Sequence, residues 1–277
     1  MTTGFRSSPR ISVAHFGAVT LLAALSLVGA ACSSSSESSD STAPTSTTPQ
    51  LTGSITVSAA SSLSKVFPAL ATRFEAAHPG TSVTFNFGSS GTLATQIVLG
   101  APADVFAAAA PAPMNKVETA GGLAGSPTTF TRNSLEIVVK PGNPLGIHGL
   151  GDLSRAHVVA LCVLTAPCGA TAAEALTRAR VNLLPTAVTR APDVDATLAQ
   201  VTTGDADAAV VYVTNASTVG TTAVGVPIPK SQNVPTSYPI AILRSSSDPK
   251  LAGAWVVYVL GPVGTAALRK AHFLPAH

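Results

Sequence analysis

Two serine pairs are the residues of this sequence best placed to do chemistry. Ser61 and Ser62 follow the apolar run ITVSA and precede a helical pattern that opens at Leu63. Ser89 and Ser90 follow VTFNF and precede a second helical pattern near Thr92. A serine at such a junction commonly caps its helix by accepting an unpaired backbone N–H. Two pairs at strand-to-helix junctions suggest a further use. Helix N-termini carry partial positive charge and free N–H groups, and hydroxyls add donors, so the combination suits an anion. Gly88 and Gly91 flank the second pair and allow close backbone approach. Neither cluster contains Lys or Arg, so the anion would meet neutral donors. A hydrogen bond to a charged group contributes roughly 1.5–3 kcal/mol, so several can hold a desolvated dianion. Such donors favour an anion that arrives fully deprotonated.

Catalytic readings are weaker. The GSSG at 88–91 does not have G-x-S-x-G spacing. A secreted serine hydrolase built on Ser90 would need a histidine within hydrogen-bond reach. The nearest in sequence, His78, stands in a His-Pro-Gly turn. The six histidines are scattered and none has metal-ligand spacing. Asp104, Asp205 and Asp207 fall at turns or strand starts, where capping is the expected task. No P-loop or dinucleotide fingerprint occurs, so no cofactor is expected.

The elements that must position these serines alternate in type. Strand signals cover Ile55–Ala59, Val83–Phe87, Val105–Ala109, Leu135–Lys140, Val158–Val163, Ala208–Val213 and Ile240–Leu243. Helical spacing covers Leu63 to Phe74, Leu93–Leu99, Met114–Ala120, Thr171–Val181, Asp195–Thr202, Ala252–Leu260 and Pro262–Ala271. Pro68 inside the first pattern should separate or kink its first turn. The alternation argues for an α/β fold with parallel sheets and helices on both faces. Such sheets bind ligands at the carboxyl ends of their strands.

The amino-terminal residues read as an export segment. Arg6 and Arg10 precede the apolar run Phe16–Ala31, with small residues before Cys32. Residues 1–31 are therefore expected to be a signal peptide. Gly29-Ala30-Ala31-Cys32 resembles a lipobox, with Gly29 where a Leu is usual, and implies lipidation at Cys32. An ordinary signal peptide with an incidental cysteine is the alternative. Residues 32–52 then form a tether rich in Ser, Thr and Pro. Of 16 basic and 13 acidic residues, 14 and 11 remain once Arg6, Arg10, Glu37 and Asp40 are removed. That near-balance, without a basic stripe, argues against nucleic acid. With Cys32 acylated, Cys162 and Cys168 form an even pair six apart, able to close a disulfide in an exported protein. Two free thiols are the alternative.

From 53 to 277 the sequence resembles the substrate-binding proteins of molybdate ABC transporters. ITVSAASSLSKVFPALATRFE and FGSSGTLATQIVLGAPADVF carry the likeness most specifically, with RNSLEIVV, GDADAAVVY and YPIAIL behind them. The resemblance implies a two-lobed periplasmic-binding-protein fold of type II. Each lobe would be a mostly parallel sheet flanked by helices, with the ligand in the cleft. Lobe 1 would comprise 53–133 and 238–277, and lobe 2 134–237. The ligand would be molybdate or tungstate, held by Ser62 and Ser90, the backbone N–H groups of Cys168 and Val194, and the Tyr212 hydroxyl. Asp195, beside Val194, would have to point away, for instance to cap its own helix. The implied protein is no enzyme. It is a monomer on the outer face of the cytoplasmic membrane, serving the permease of an ABC importer. Sulfate, another oxyanion or a small organic anion in the same fold is the alternative.

Overall fold

The computed structural model describes residues 50–277. The signal segment, Cys32 and the tether up to residue 49 lie outside the described residues. Among the described residues ten strands, numbered along the chain, form two five-stranded sheets. The first contains β1 (Gly53–Ala60), β2 (Thr81–Gly88), β3 (Val105–Ala107), β4 (Thr128–Asn133) and β10 (Thr236–Ile242), in the order β2-β1-β3-β10-β4. The second contains β5 (Leu135–Val139), β6 (Val159–Cys162), β7 (Val188–Ala191), β8 (Ala208–Tyr212) and β9 (Val224–Pro227), in the order β7-β6-β8-β5-β9. Each sheet has one reversed strand: β10 is antiparallel to both neighbours in the first, and β5 in the second. The remaining pairs, β1 with β2 and β3, and β6 with β7 and β8, are parallel.

Among the described residues eight α-helices flank the sheets: α1 (Phe67–Ala77), α2 (Ser90–Val98), α3 (Pro111–Thr119), α4 (Pro167–Arg178), α5 (Val194–Thr202), α6 (Val213–Ala216), α7 (Pro249–Leu260) and α8 (Pro262–Lys270). None among the described residues is by itself long and apolar enough to cross a membrane. Pro68 acts as its chemistry requires. Ser61–Leu63 form a separate 3-10 turn, and α1 begins at Phe67 with Pro68 in its first turn. Proline has no N–H to donate, and there none is needed.

Side chains of β3 alternate between two cores, as a strand's period of two demands. Val105 and Ala107 join the core containing Phe67 and Phe74 of α1 and Trp255 of α7. Phe106 joins Leu93 and Ile97 of α2 and Met114 and Val117 of α3. The first sheet is thus covered on both faces. Trp255 is its anchor, with ring centres 5.8 Å from Phe67 and 5.5 Å from Phe74.

Strands β4, β7 and β9 have no counterpart in the periodicity of the sequence. All three are edge strands, and their segments TTFTRN, VTRA and VGVP are short or only weakly apolar. Pairing with one neighbour, rather than burial of an alternating face, defines them. The chain passes between the sheets twice, between Asn133 and Leu135 and between Pro227 and Thr236. The crossings run side by side, since Thr236 pairs with Asn133.

Candidate functional site

The parallel strands of each lobe end toward the same place. After β1 comes the Ser61–Leu63 turn, after β2 the start of α2, and after β3 the start of α3. In the other lobe, β6 leads to α4, β7 to α5 and β8 to α6. A small cavity of about 10 Å³ lies among these junctions, lined from both lobes. Ser62, Ser90, Cys168, Val194 and Tyr212 all line it, as do Ser61, Ser89, Ala109 and Asp193. Open α/β sheets bind ligands beyond the carboxyl ends of their strands, and both lobes place the cavity there. No Lys, Arg or His is among the lining residues.

The serines are not helix caps. Ser89 occupies the cap position of α2 but makes no capping bond, and Ser90 is the first helical residue. The Ser90 hydroxyl instead accepts from the Ala109 N–H at 2.9 Å. The Ser62 hydroxyl lies 2.9 Å from the Tyr238 hydroxyl. All four serines are buried. Cys168 and Val194 stand in the first turns of α4 and α5, so their backbone N–H groups have no intrahelical acceptor. Their helix ends add positive potential on the far side of the cavity.

Tyr212 ends β8 with 1 % of its surface exposed, and its hydroxyl has no hydrogen-bond partner among the described residues. Thr171 and Tyr238 come close enough to influence its ionisation. Yet Thr171 donates to the Pro167 carbonyl at 2.8 Å, and Tyr238 is bonded to Ser62. Burial first, then the neighbouring Tyr238, pushes the Tyr212 phenol well above 10, so it is a neutral donor at physiological pH. Buried unpaired hydroxyls are rare and call for an explanation. This one borders the cavity.

The carboxylates near the site are occupied elsewhere. Asp193 caps α5, accepting the Ala196 N–H at 3.0 Å. Asp195 does not cap its helix. It accepts from Ser64 of the first lobe at 3.0 Å and from the Asn215 side-chain amide at 2.6 Å, outside the cavity lining. Burial first raises its pKa, partly offset by the Ser64 bond. The Ser64–Asp195 bond is thus a tie across the cleft. Gly91 makes another close approach, since a Cβ there would collide with the Thr165 carbonyl of the opposite lobe. Gly88 has no such constraint: a Cβ would meet only Leu93 at ordinary contact distance, 3.7 Å.

Cys162 and Cys168 are bonded to each other, with Cα atoms 5.8 Å apart. The bond joins the end of β6 to the first turn of α4 and so holds the Cys168 backbone against the sheet. Three contributors escape sequence reasoning. Ala109 follows β3, a third strand-to-helix junction that only the order of the strands places beside the first two. Asn133, where one crossing begins, and Tyr238, in β10 just after the other, reach the site through Ser62. The apolar YPI run around Tyr238 reads as core, and nothing local reveals a polar contact.

Two α/β lobes that together line a small cavity of neutral donors at their strand ends define a two-lobed solute-binding protein. The chain belongs to the bacterial extracellular solute-binding protein family, whose sequence model matches residues 55–274. It is 38 % identical over 255 residues to the molybdate-binding protein ModA of Mycobacterium tuberculosis, covering 91 % of this chain and 95 % of that protein. The Azotobacter vinelandii periplasmic molybdate-binding protein has a similar structure, with TM-score 0.70 and 24 % identity over 79 % of this chain and 98 % of that one. The sulfate-binding protein SubI of Mycobacterium tuberculosis superposes with TM-score 0.71 and 19 % identity, over 80 % and 86 % of the two chains. The family is one of extracytoplasmic transport proteins rather than enzymes. Among the described residues no cluster of His, Cys, Asp and Glu is arranged to hold a metal ion.

Proposed function

We propose that this protein captures molybdate or tungstate outside the cytoplasmic membrane and hands it to the permease of an ABC importer. The observation that carries the reading is the cavity itself. It gathers Ser62, Ser90, the amides of Cys168 and Val194, and a Tyr212 hydroxyl that has no partner among the described residues. All can donate, and no basic residue lines the site. The full-length likeness to a molybdate-binding protein gives the anion its identity.

The physical basis of selection follows from the donor set. Molybdate and tungstate are fully deprotonated near neutral pH and accept on every oxygen. Hydrogenphosphate carries a proton that needs an acceptor. Sulfate has the same charge and shape but is smaller, so a cavity closed around molybdate leaves it longer contacts. Lobe 1 would comprise residues 53–133 and 238–277 and lobe 2 residues 134–237. A lipid on Cys32 and the polar tether would keep the receptor, as a monomer, near its permease.

Titration calorimetry on residues 51–277, which contain both sheets and their cores, tests the proposal. Molybdate and tungstate should bind tightly and one to one, with sulfate and phosphate weak. Tight sulfate binding with weak molybdate would move the assignment to sulfate. Silence from all four anions in the folded protein would refute the oxyanion reading.

A further inference from the structure

The hydrogen-bond chain behind Ser62 has a direction, and the direction starts in the crossing between the lobes. The Ser134 backbone N–H can only donate, and it donates to Asn133 Oδ1 at 3.0 Å. The amide of Asn133 is thereby oriented, so its Nδ2 must be the donor on the other side. Nδ2 donates to Thr214 Oγ1 at 2.9 Å and to the Tyr238 hydroxyl at 3.2 Å. Tyr238 is fully buried and has one proton of its own. Its other partner is Ser62 Oγ at 2.9 Å. A phenol oxygen can accept twice, so the direction is set by the buried Tyr238 proton, which would go unpaired unless it is given to Ser62 Oγ. With Tyr238 donating, the Ser62 proton has no acceptor among the described residues, on a side chain that lines the cavity.

We infer that Tyr238, oriented by Asn133, is a positioning residue that fixes Ser62 as a donor toward the bound anion. Ser90 is set the same way, since the Ala109 N–H can only donate to it. The inference rests on the oxyanion reading of this cavity and deepens it. Selection for deprotonated anions is built outside the cavity, in buried residues that never touch the ligand. Polarised chains of this kind also strengthen their terminal donor. Because Asn133 ends β4 and Tyr238 lies in β10, the same residues join the two crossings.

Tyr238→Phe removes the hydroxyl and keeps the ring. Molybdate affinity, phosphate competition against molybdate and the thermal midpoint of the ligand-free protein would be measured on residues 51–277. The expected result is a loss of about tenfold in molybdate affinity. Phosphate should compete better relative to molybdate than in the parent, because Ser62 becomes free to accept. Unchanged molybdate affinity, or phosphate competing no better, would overturn the inference. A parent protein that binds no oxyanion would instead defeat the proposed function. If Tyr238→Phe fails to fold, Asn133→Asp serves. Its acceptor would draw the Tyr238 proton away from Ser62 and weaken molybdate at least as much as Ser62→Ala; a smaller loss overturns the inference.

Discussion

Tyr212 carries the sharpest expectation for a single residue. Its hydroxyl is buried without a partner among the described residues, which destabilises the ligand-free protein, and it borders the cavity. Tyr212→Phe should therefore leave the thermal midpoint of the ligand-free protein unchanged or raised, while molybdate affinity falls about tenfold or more. Scanning calorimetry and titration together check both signs. Asp104 shows the opposite situation. Burial opposes its charge, but bonds from the Thr56 N–H at 2.7 Å, the Ser246 hydroxyl at 2.8 Å and the Ser247 N–H at 2.7 Å outweigh it and lower its pKa. Its contribution to stability is fully present above the ordinary value of 3.8 and is lost as the pH falls through the lowered one. Asp104→Asn should destabilise the protein at neutral pH by about 1–3 kcal/mol, and the gap from the parent should close below about pH 4. Urea midpoints measured across pH test this.

At the scale of elements, the junctions after the strands decide the site. Helices α2, α4 and α5 each present first-turn N–H groups, and the sheet order aims them at one cavity. The Cys162–Cys168 bond fastens one such junction. Reduction should cost about 2 kcal/mol on the chain-entropy estimate for so short a loop. It should also weaken anion binding, because the Cys168 amide loses its fixed place. Denaturant unfolding and titration with and without reductant measure the two effects. Reduction that lowers stability and leaves affinity intact would confine the disulfide to a structural role.

For the molecule as a whole, the relevant property is closure. The lobes meet through the Ser64–Asp195 tie and through the close approach of Gly91 to Thr165. Alanine at 91 suits a helix first turn, so it should not destabilise the lobe that carries it. Across the cleft it is overpacked, which costs about 1–3 kcal/mol. Gly91→Ala should therefore weaken molybdate binding about 10- to 100-fold with the ligand-free midpoint unchanged. X-ray scattering should show the variant more extended than the parent when molybdate is present. Equal affinity and equal compactness would mean that closure does not bring Gly91 this near Thr165.

What was legible in the sequence was whatever depends on neighbours along the chain. Alternating apolar periods gave the α/β class, Pro68 the break before α1, and the serine pairs their place between strand and helix. The spacing of Cys162 and Cys168 allowed a bond but left free thiols open. The same local view could not give β4, β7 and β9, whose strand character comes from a neighbour distant in sequence. Nor could it show that Ser62 and Ser90 serve as something other than caps, since that depends on Tyr238 and on Ala109. Sequence alone left Asp195 as an apparent obstacle to an anion. Only the tertiary structure turned its carboxylate toward Ser64 and Asn215, because which way a side chain points depends on the partners that packing brings to it.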